Sequence, residues 1–415
     1  MLHADGVTSL SSRPPGEARL SFFFLAIFLV VGCYMPFMPV WLEARGLGAE
    51  TIGLALAIPL LVRPLVTPAI AMWADVTDSH RRAAIMLAAG ALLALLLLWR
   101  AQGFPAIAAA LTLFTLLYSA QLPLADTVAM RAAAQGAHYG RMRIWGSLSF
   151  VAATLCAGLA LDRLGAEAAM GVLAVACASV LLAALVLPRA PRRSGAASLK
   201  LDLTALGAYS GAFRDTAKRS HFWWFLLAAG LINASHAMYY TFGTVHWLSL
   251  GASGVLAGVM WAIGVLAEVV LFAVAGRRAG RVSPLIFVAV AGAAAALRWA
   301  LMAIDPLWAA TIALQLLHGL TFGACHLGAM FFIAGSFPPQ LAGTAQALYG
   351  SLTAGVFMAA ATACAGPLYR DIGAYAYLPM AAIGAIGCAL ALRMEVMRRA
   401  QPHSDGDGGE THAPL

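Results

Sequence analysis

The chain has 415 residues, 62% of them hydrophobic and only 11% charged, with a mean hydropathy of +0.83 and a formal net charge of +8. Soluble chains run about 45–50% apolar and about 25% charged, so this one lacks the charges to build a water-facing surface. That excludes a soluble enzyme, a nucleic-acid binder and a disordered chain, and at about 20 apolar residues per crossing it predicts an all-α polytopic membrane protein.

Residues 1–19 form a polar N-terminal segment. The apolar run 20–42 exceeds the ~7–15 residue core of a signal peptide and lacks a clear cleavage site, so it is expected to remain as the first helix. Runs at 51–73, 83–101, 105–130, 143–162 and 166–187 complete a predicted N-terminal six-helix bundle over 20–187. A polar central loop follows at 188–219. Runs at 221–247, 252–276, 282–304, 306–333, 341–367 and 372–393 predict a second six-helix bundle over 221–395, before a flexible tail at 396–415 that ends rich in Gly, Asp and His.

Six runs, a long loop and six more are an internal duplication, giving twelve transmembrane helices. Loops rich in Lys and Arg stay cytoplasmic. The central loop carries Arg189, Arg192, Arg193, Lys200, Arg214, Lys218 and Arg219, so it is expected inside, as are both termini. On that topology twenty of the 26 basic residues lie inside, and only Arg45, Arg100, Arg163 and Arg370 lie outside. Arg63 and Arg298 remain within helices.

Pro36, Pro39, Pro59, Pro64, Pro68 and Pro123 interrupt helices, mostly in the first half. The pairs Gly254/Gly258 and Gly319/Gly323 allow close helix approach, but 40 glycines produce such pairs readily and no function is read into them. The six cysteines all fall in apolar runs without CxxC or metal spacing, so no disulfide, metal or cofactor is expected.

A charge at mid-membrane costs at least ~2.5–3.5 kcal/mol on insertion scales, which makes each one a functional hypothesis. Two acids, Asp126 and Glu268, lie inside apolar runs; the cations to set beside them are Arg63, Arg143 and Arg298. The plain alternative is that such charges pair and lock helices together. Counting ~1.5 Å per residue from the outer ends puts Arg298 about 9 Å, His318 about 18 Å and Glu268 about 24 Å deep. Arg298, His318 and Glu268 thus form a ladder able to hold and release a proton. The other reading of His318 is a hydrogen-bonded core histidine. If Asp126 pairs with Arg143 and Glu268 with Arg298, Arg63 is left over, and an incoming carboxylate would offset it bidentately. Alternatively, Arg63 bonds carbonyls freed by Pro59 and Pro64. Tyr34, Gln121, Asn233, Tyr239, Tyr240, Gln346 and Tyr349 suit a central cavity, where an aromatic ligand could stack. His236 stands beside them on the seventh helix.

The two-halved plan of twelve helices resembles the major facilitator superfamily. The stretch from Trp73 to Arg82, with Asp75 and the basic pair Arg81 and Arg82, looks like that superfamily's loop between helices 2 and 3, although Ala71 and Asp78 stand where glycines are usual. This resemblance implies a gating loop. Within the superfamily the chain resembles, over about 20–395, the phenylpropionate permease branch, related to the lactose/proton symporters. The stretches that carry it are Pro123 to Asp126, Tyr139 to Gly146, Asn233 to Tyr240, Glu268 to Val270, Leu297 to Trp299, Leu317 to Gly319 and Cys325 to Leu327. The resemblance implies proton coupling at Glu268, Arg298 and His318, and a substrate-site charge pair at Asp126 and Arg143. Lactose-type members carry a second acid three residues after the helix 10 histidine, where this chain has Thr321. That departure weakens a sugar reading and moves the proton carrier toward Glu268.

The sequence therefore predicts a monomeric proton-coupled symporter of the inner membrane, importing a small solute, foremost an aromatic carboxylate such as 3-phenylpropionate. Its partners would be that solute, protons and the lipid bilayer, with no nucleic acid. A sugar or nucleoside symporter and a drug/proton antiporter stay open. An intramembrane enzyme is disfavoured, since no HExxH, P-loop or catalytic pair of acids on one helix is present.

Overall fold

The computed structural model describes residues 16–77, 79–188, 211, 214–215, 218–275 and 281–400. Residues 1–15, most of the central loop with Arg189, Arg192, Arg193 and Lys200, the connection bearing Arg277 and Arg278, and the 401–415 tail lie outside the described residues, as does the side chain of Asp75. Every element among the described residues is helical. The first half holds α1 (Glu17–Ala44), α2 (Ala49–Val76), α3 (His80–Arg100), α4 (Gly103–Ser119), α5 (Gln121–Ala133), α6 (Tyr139–Leu164) and α7 (Ala166–Val186). The second holds α8 (Ser220–Ala234), α9 (Ala237–Ser249), α10 (Gly254–Ala275), α11 (Pro284–Met302), α12 (Trp308–Gln315), α13 (Cys325–Ser336), α14 (Pro339–Ser351), α15 (Met358–Ile372) and α16 (Tyr377–Ala400).

Among the described residues, ten helical segments are long and apolar enough to cross a membrane. The expected seventh crossing falls on α8 and α9, two pieces of 15 and 13 residues that are each too short alone. The expected eleventh and twelfth fall in one apolar stretch, Leu341–Ala400, which turns at Gly373 (φ 55°). The break between α8 and α9 follows from side chains that compete with the helical ladder. Ser235 donates to the Ile232 carbonyl at 2.6 Å, Asn233 to Ala229 at 2.9 Å, and the His236 ring bonds Ile232 at 3.1 Å.

Two further departures from regular helix are π turns, Gly319–Ala324 between α12 and α13 and Leu352–Phe357 between α14 and α15. A widened turn takes carbonyls off the regular ladder, and such turns gather at functional sites.

The halves meet where α6 packs along α10 and α2 along α15. Both contacts are backbone against backbone. A Cβ on Gly258 would stand 2.6 Å from the Thr154 carbonyl oxygen, one on Gly254 2.6 Å from that of Gly158, and one on Gly366 2.6 Å from that of Ala49. The pair Gly254/Gly258, given no role from sequence, is thus part of the seam between halves. Asp162 of α6 reinforces it by accepting from the Gly254 and Val255 backbone N–H groups at 2.5 and 2.9 Å, capping α10 from the opposite half. Arg370 also pairs with Glu50 there. All these contacts lie at the end that the charge distribution assigns to the outside. Toward the other end, Gly140, Gly343 and Gly350 have open space beside them.

Candidate functional site

Polar and aromatic side chains gather in the second half around Arg298, whose residue is fully buried. Its Nη2 donates to Gln315 Oε1 at 2.6 Å and its Nη1 to His318 Nδ1 at 3.3 Å. The guanidinium carbon lies 4.7 Å from the Tyr239 ring and 4.5 Å from the Trp299 ring. His236 Nε2 meets Thr321 Oγ1 at 3.0 Å, and Thr321 also receives Arg298 Nη1 at 3.5 Å. Since carbonyls only accept, His236 carries its proton on Nδ1 toward Ile232, and Thr321 donates to Nε2. His318 accepts from Arg298 on Nδ1, which leaves the proton of a neutral ring on Nε2.

The expected Glu268–Arg298 pair is corrected here. Among the described residues Arg298 joins no carboxylate; a neutral amide and an imidazole accept from its two terminal nitrogens, two aromatic faces cover it, and its buried Nε has no hydrogen-bond partner. Gln315 was missed by sequence reasoning, although its position one turn before His318 could have suggested it. Gln315→Leu removes the best acceptor of a buried guanidinium and is expected to destabilise the protein by about 1.5–3 kcal/mol. A melting curve of the purified variant checks this, and an unchanged midpoint would remove Gln315 from the account.

Glu268, on α10, is half-buried. Among the described residues it makes no hydrogen bond or ion pair, and the cation whose charge acts on it is Arg143, from α6 in the opposite half. Gly264, one turn earlier, packs against His318, with a Cβ there 3.3 Å from the His318 Cβ. Gly319 sits against the Ala267 carbonyl and the Glu268 backbone, so the second glycine pair passed over in the sequence brings the π turn onto α10. Glu268 is therefore one turn beyond His318, as its estimated depth implied, while the cation that acts on it belongs to the opposite half.

Arg143 stands 4.2 Å from the Phe28 ring and 5.7 Å from the Phe24 ring. The expected direct pair with Asp126 is also corrected: no ion pair joins the two, and Tyr139 stands with them, donating to Asp126 Oδ1 at 2.9 Å. Tyr139 was legible, being four residues before Arg143 on the same face of α6. Arg63 of α2 donates across the halves to the Ala354 carbonyl at 3.2 Å, inside the second π turn. The alternative in which Arg63 bonds a carbonyl near Pro59 or Pro64 is thus met by a carbonyl of the facing half instead.

The remaining predicted residues divide. Tyr34 meets Thr115 at 3.4 Å, and Tyr240 lies half-buried within electrostatic reach of both Glu268 and Arg298. Tyr239 is buried on Trp261, with ring centroids 4.6 Å apart. Asn233 approaches Cys325 and Tyr349, and Gln346 is exposed without a polar partner among the described residues. Gln121, expected in the cavity, is instead fully buried and donates to the Ala84 carbonyl of α3 at 3.1 Å. Gln121 begins α5, which packs against α3, so its amide meets that helix's backbone rather than the middle of the bundle. Arg81 donates to the Leu185 carbonyl of α7 at 2.5 Å, and Arg82 is exposed. No three His, Cys, Asp or Glu side chains among the described residues form a metal-binding group.

Residues 18–378 match the profile of the MFS_1 like family. The chain is 31% identical over 367 residues to the "Probable 3-phenylpropionic acid transporter" of Escherichia coli (strain K12), covering 87% of this chain and 93% of that one. It is 29% identical over 342 residues to the "Maltose permease" of Geobacillus stearothermophilus, covering 80% and 83% respectively. Among solved structures, the nucleoside transporter NupG superposes with a TM-score of 0.73 at 17% identity, over 94% of this chain and 100% of that one. The chain belongs to the MFS_1 like family and is an integral inner-membrane transporter rather than an enzyme.

Proposed function

We propose that the chain is a twelve-helix, proton-coupled symporter that imports a small aromatic carboxylate, of the kind named for its E. coli relative, by alternating access. The observation that supports this reading most is a pair contributed by opposite halves: Arg143, with aromatic rings beside it, and Glu268, on which the Arg143 charge acts and which has no hydrogen bond or ion pair among the described residues. When Glu268 is ionised it competes with a substrate anion for the Arg143 guanidinium. When Glu268 takes a proton, Arg143 is released to hold the substrate carboxylate while Phe28 and Tyr240 offer apolar faces to its ring. The loaded site (Arg143 cation, substrate anion, neutral Glu268) and the empty one (Arg143 cation, Glu268 anion) then carry the same net charge. Neither crosses the low-dielectric barrier with an uncompensated charge. The tight outer seam fits a state closed at the outside, and the carbonyl bond of Arg63 to Ala354 would break as the halves rock.

The maltose permease relative favours a second reading, a sugar symporter in which Asp126, Tyr139 and Tyr34 bond hydroxyls. Thermal stabilisation of the purified protein separates the two, since a ligand at 100 times its dissociation constant adds about 2.7 kcal/mol. The panel is 3-phenylpropionate, cinnamate, maltose, lactose and a nucleoside. The aromatic acids are expected to stabilise. Arg143→Gln should then weaken their binding at least about tenfold, and Arg143→Lys less, because an ammonium keeps the charge and loses the fork. Stabilisation by a sugar or nucleoside alone sinks the anion reading and leaves the transporter standing.

A further inference from the structure

Away from the cleft, at the outer rim of the first half, Arg45, Leu96, Trp99, Arg100, Gln102 and Glu167 line a cavity of about 670 Å3. These residues come from the ends of α1, α3 and α7 and the turn after α3, so none of them faces the second half's charge network. The cavity wall is built rather than incidental. Arg45 donates to the Trp99 carbonyl, lies 4.8 Å from the Trp41 ring, and brings Nε to 3.3 Å from Glu167. Trp99 Nε1 donates to the other Glu167 oxygen at 2.5 Å. Both oxygens of the one carboxylate are therefore engaged. Arg100 and Gln102 are not: among the described residues neither has a hydrogen bond, and Arg100 has no ion pair. Two guanidiniums against one carboxylate leave the cavity a net cation, with a free fork and a free amide at its mouth.

The level of this cavity says what kind of anion reaches it. Arg45, Arg100 and Glu167 mark the ends of their apolar runs, which is where headgroups meet hydrocarbon, and Trp99 is the amphipathic ring common at that level. Below it, α3 turns Leu93, Leu96 and Leu97 outward, 62%, 44% and 61% exposed. A free phosphate would use the arginines and leave the leucines bare; a phospholipid would use both. We infer that this rim cavity binds the phosphodiester of an outer-leaflet phospholipid, with Arg100 and Gln102 on the phosphate and an acyl chain along the exposed leucines of α3.

The test uses the full chain, purified, delipidated and exchanged with phosphatidylglycerol, with bound lipid counted by native mass spectrometry. One lipid more tightly retained than the rest is expected, and Arg100→Gln should lower its retained fraction about five- to tenfold. Arg163→Gln, which removes another exposed outer arginine with no partner among the described residues, is the charge control and should change nothing. Since Arg100 holds no other residue, its substitution should leave the melting midpoint in detergent unmoved, which separates lost binding from misfolding. Equal retention by Arg100→Gln and the wild type overturns the site, as does an equal fall in Arg163→Gln. Binding of soluble glycerol phosphate as tight as that of the lipid overturns the lipid reading in favour of a soluble anion. Because the cavity lies outside the cleft, these outcomes are independent of the proposed substrate.

Discussion

A Glu268→Gln protein is expected to bind and exchange substrate yet fail to accumulate it against a gradient. The amide keeps the size of the carboxyl and is permanently neutral, so Arg143 stays available to a substrate anion at every pH. In the wild type, raising the pH ionises Glu268, which then competes for Arg143, and anion affinity falls. Lowering the pH restores it. The sign is thus tighter binding at lower pH, measured over a range in which the substrate itself remains ionised. The variant should show flat affinity at the wild type's low-pH level. Transport separates more sharply: one proton carried per anion lets each pH unit across the membrane support about tenfold accumulation, since a unit corresponds to 1.36 kcal/mol. In proteoliposomes with an inward-directed proton gradient the variant should equilibrate its substrate and go no further, while substrate exchange at equal pH continues. Accumulation by Glu268→Gln equal to the wild type's would remove Glu268 as the proton carrier and return the role to His318.

The class of fold was plain in the sequence because lipid removes most alternatives. Backbone groups without water must bond within helices, and apolar runs of crossing length report that constraint directly. The charged residues inside those runs were also legible, because each is too costly to be there without a partner. Pairing was not. Arg298 and Glu268 were set together by counting opposite charges once Asp126 was given to Arg143, but neither a charge count nor depth along an axis says anything of rotation about it. Rotation is set by packing. The Gly264–His318 and Gly319–Ala267 contacts seat α10 against the π turn so that Arg298 turns to Gln315, while Glu268 comes under the charge of Arg143. The π turns themselves are invisible as a pattern: a single added residue shifts the register of a helix without changing its apolarity. Arg63 finds its carbonyl at Ala354 through one of them, 291 residues away. Nor could glycine spacing tell a seam from chance in a chain with 40 glycines, until backbone distances picked out the pairs that touch.

Gly158→Leu is expected to abolish transport while leaving substrate binding intact. A Cβ at Gly158 would fall far inside van der Waals contact distance of the Gly254 carbonyl oxygen, with the Gly254 carbon 2.6 Å and the Val255 nitrogen 3.0 Å away. These atoms are backbone of a helix that Asp162 holds by two hydrogen bonds, so no side chain can swing aside to make room. Four added carbons leave one relief, the parting of α6 from α10. Parting costs the outward-closed state both its close packing and the Asp162 cap, the latter alone about 0.5–2 kcal/mol. Both losses fall on the closed seam and neither on a state in which the halves are already apart, so the substitution shifts the population toward an open exterior. The shift should be seen on the other seam, where α2 meets α15. Cysteines introduced together by Glu50→Cys and Arg370→Cys, at the site of the present ion pair, should form a disulfide readily in the wild-type background and poorly with Gly158→Leu. Gly158→Ala, one carbon against four, should give an intermediate yield. Efficient cross-linking with leucine in place would mean that the helices close around the larger residue, and that the glycines are not what brings the two halves together.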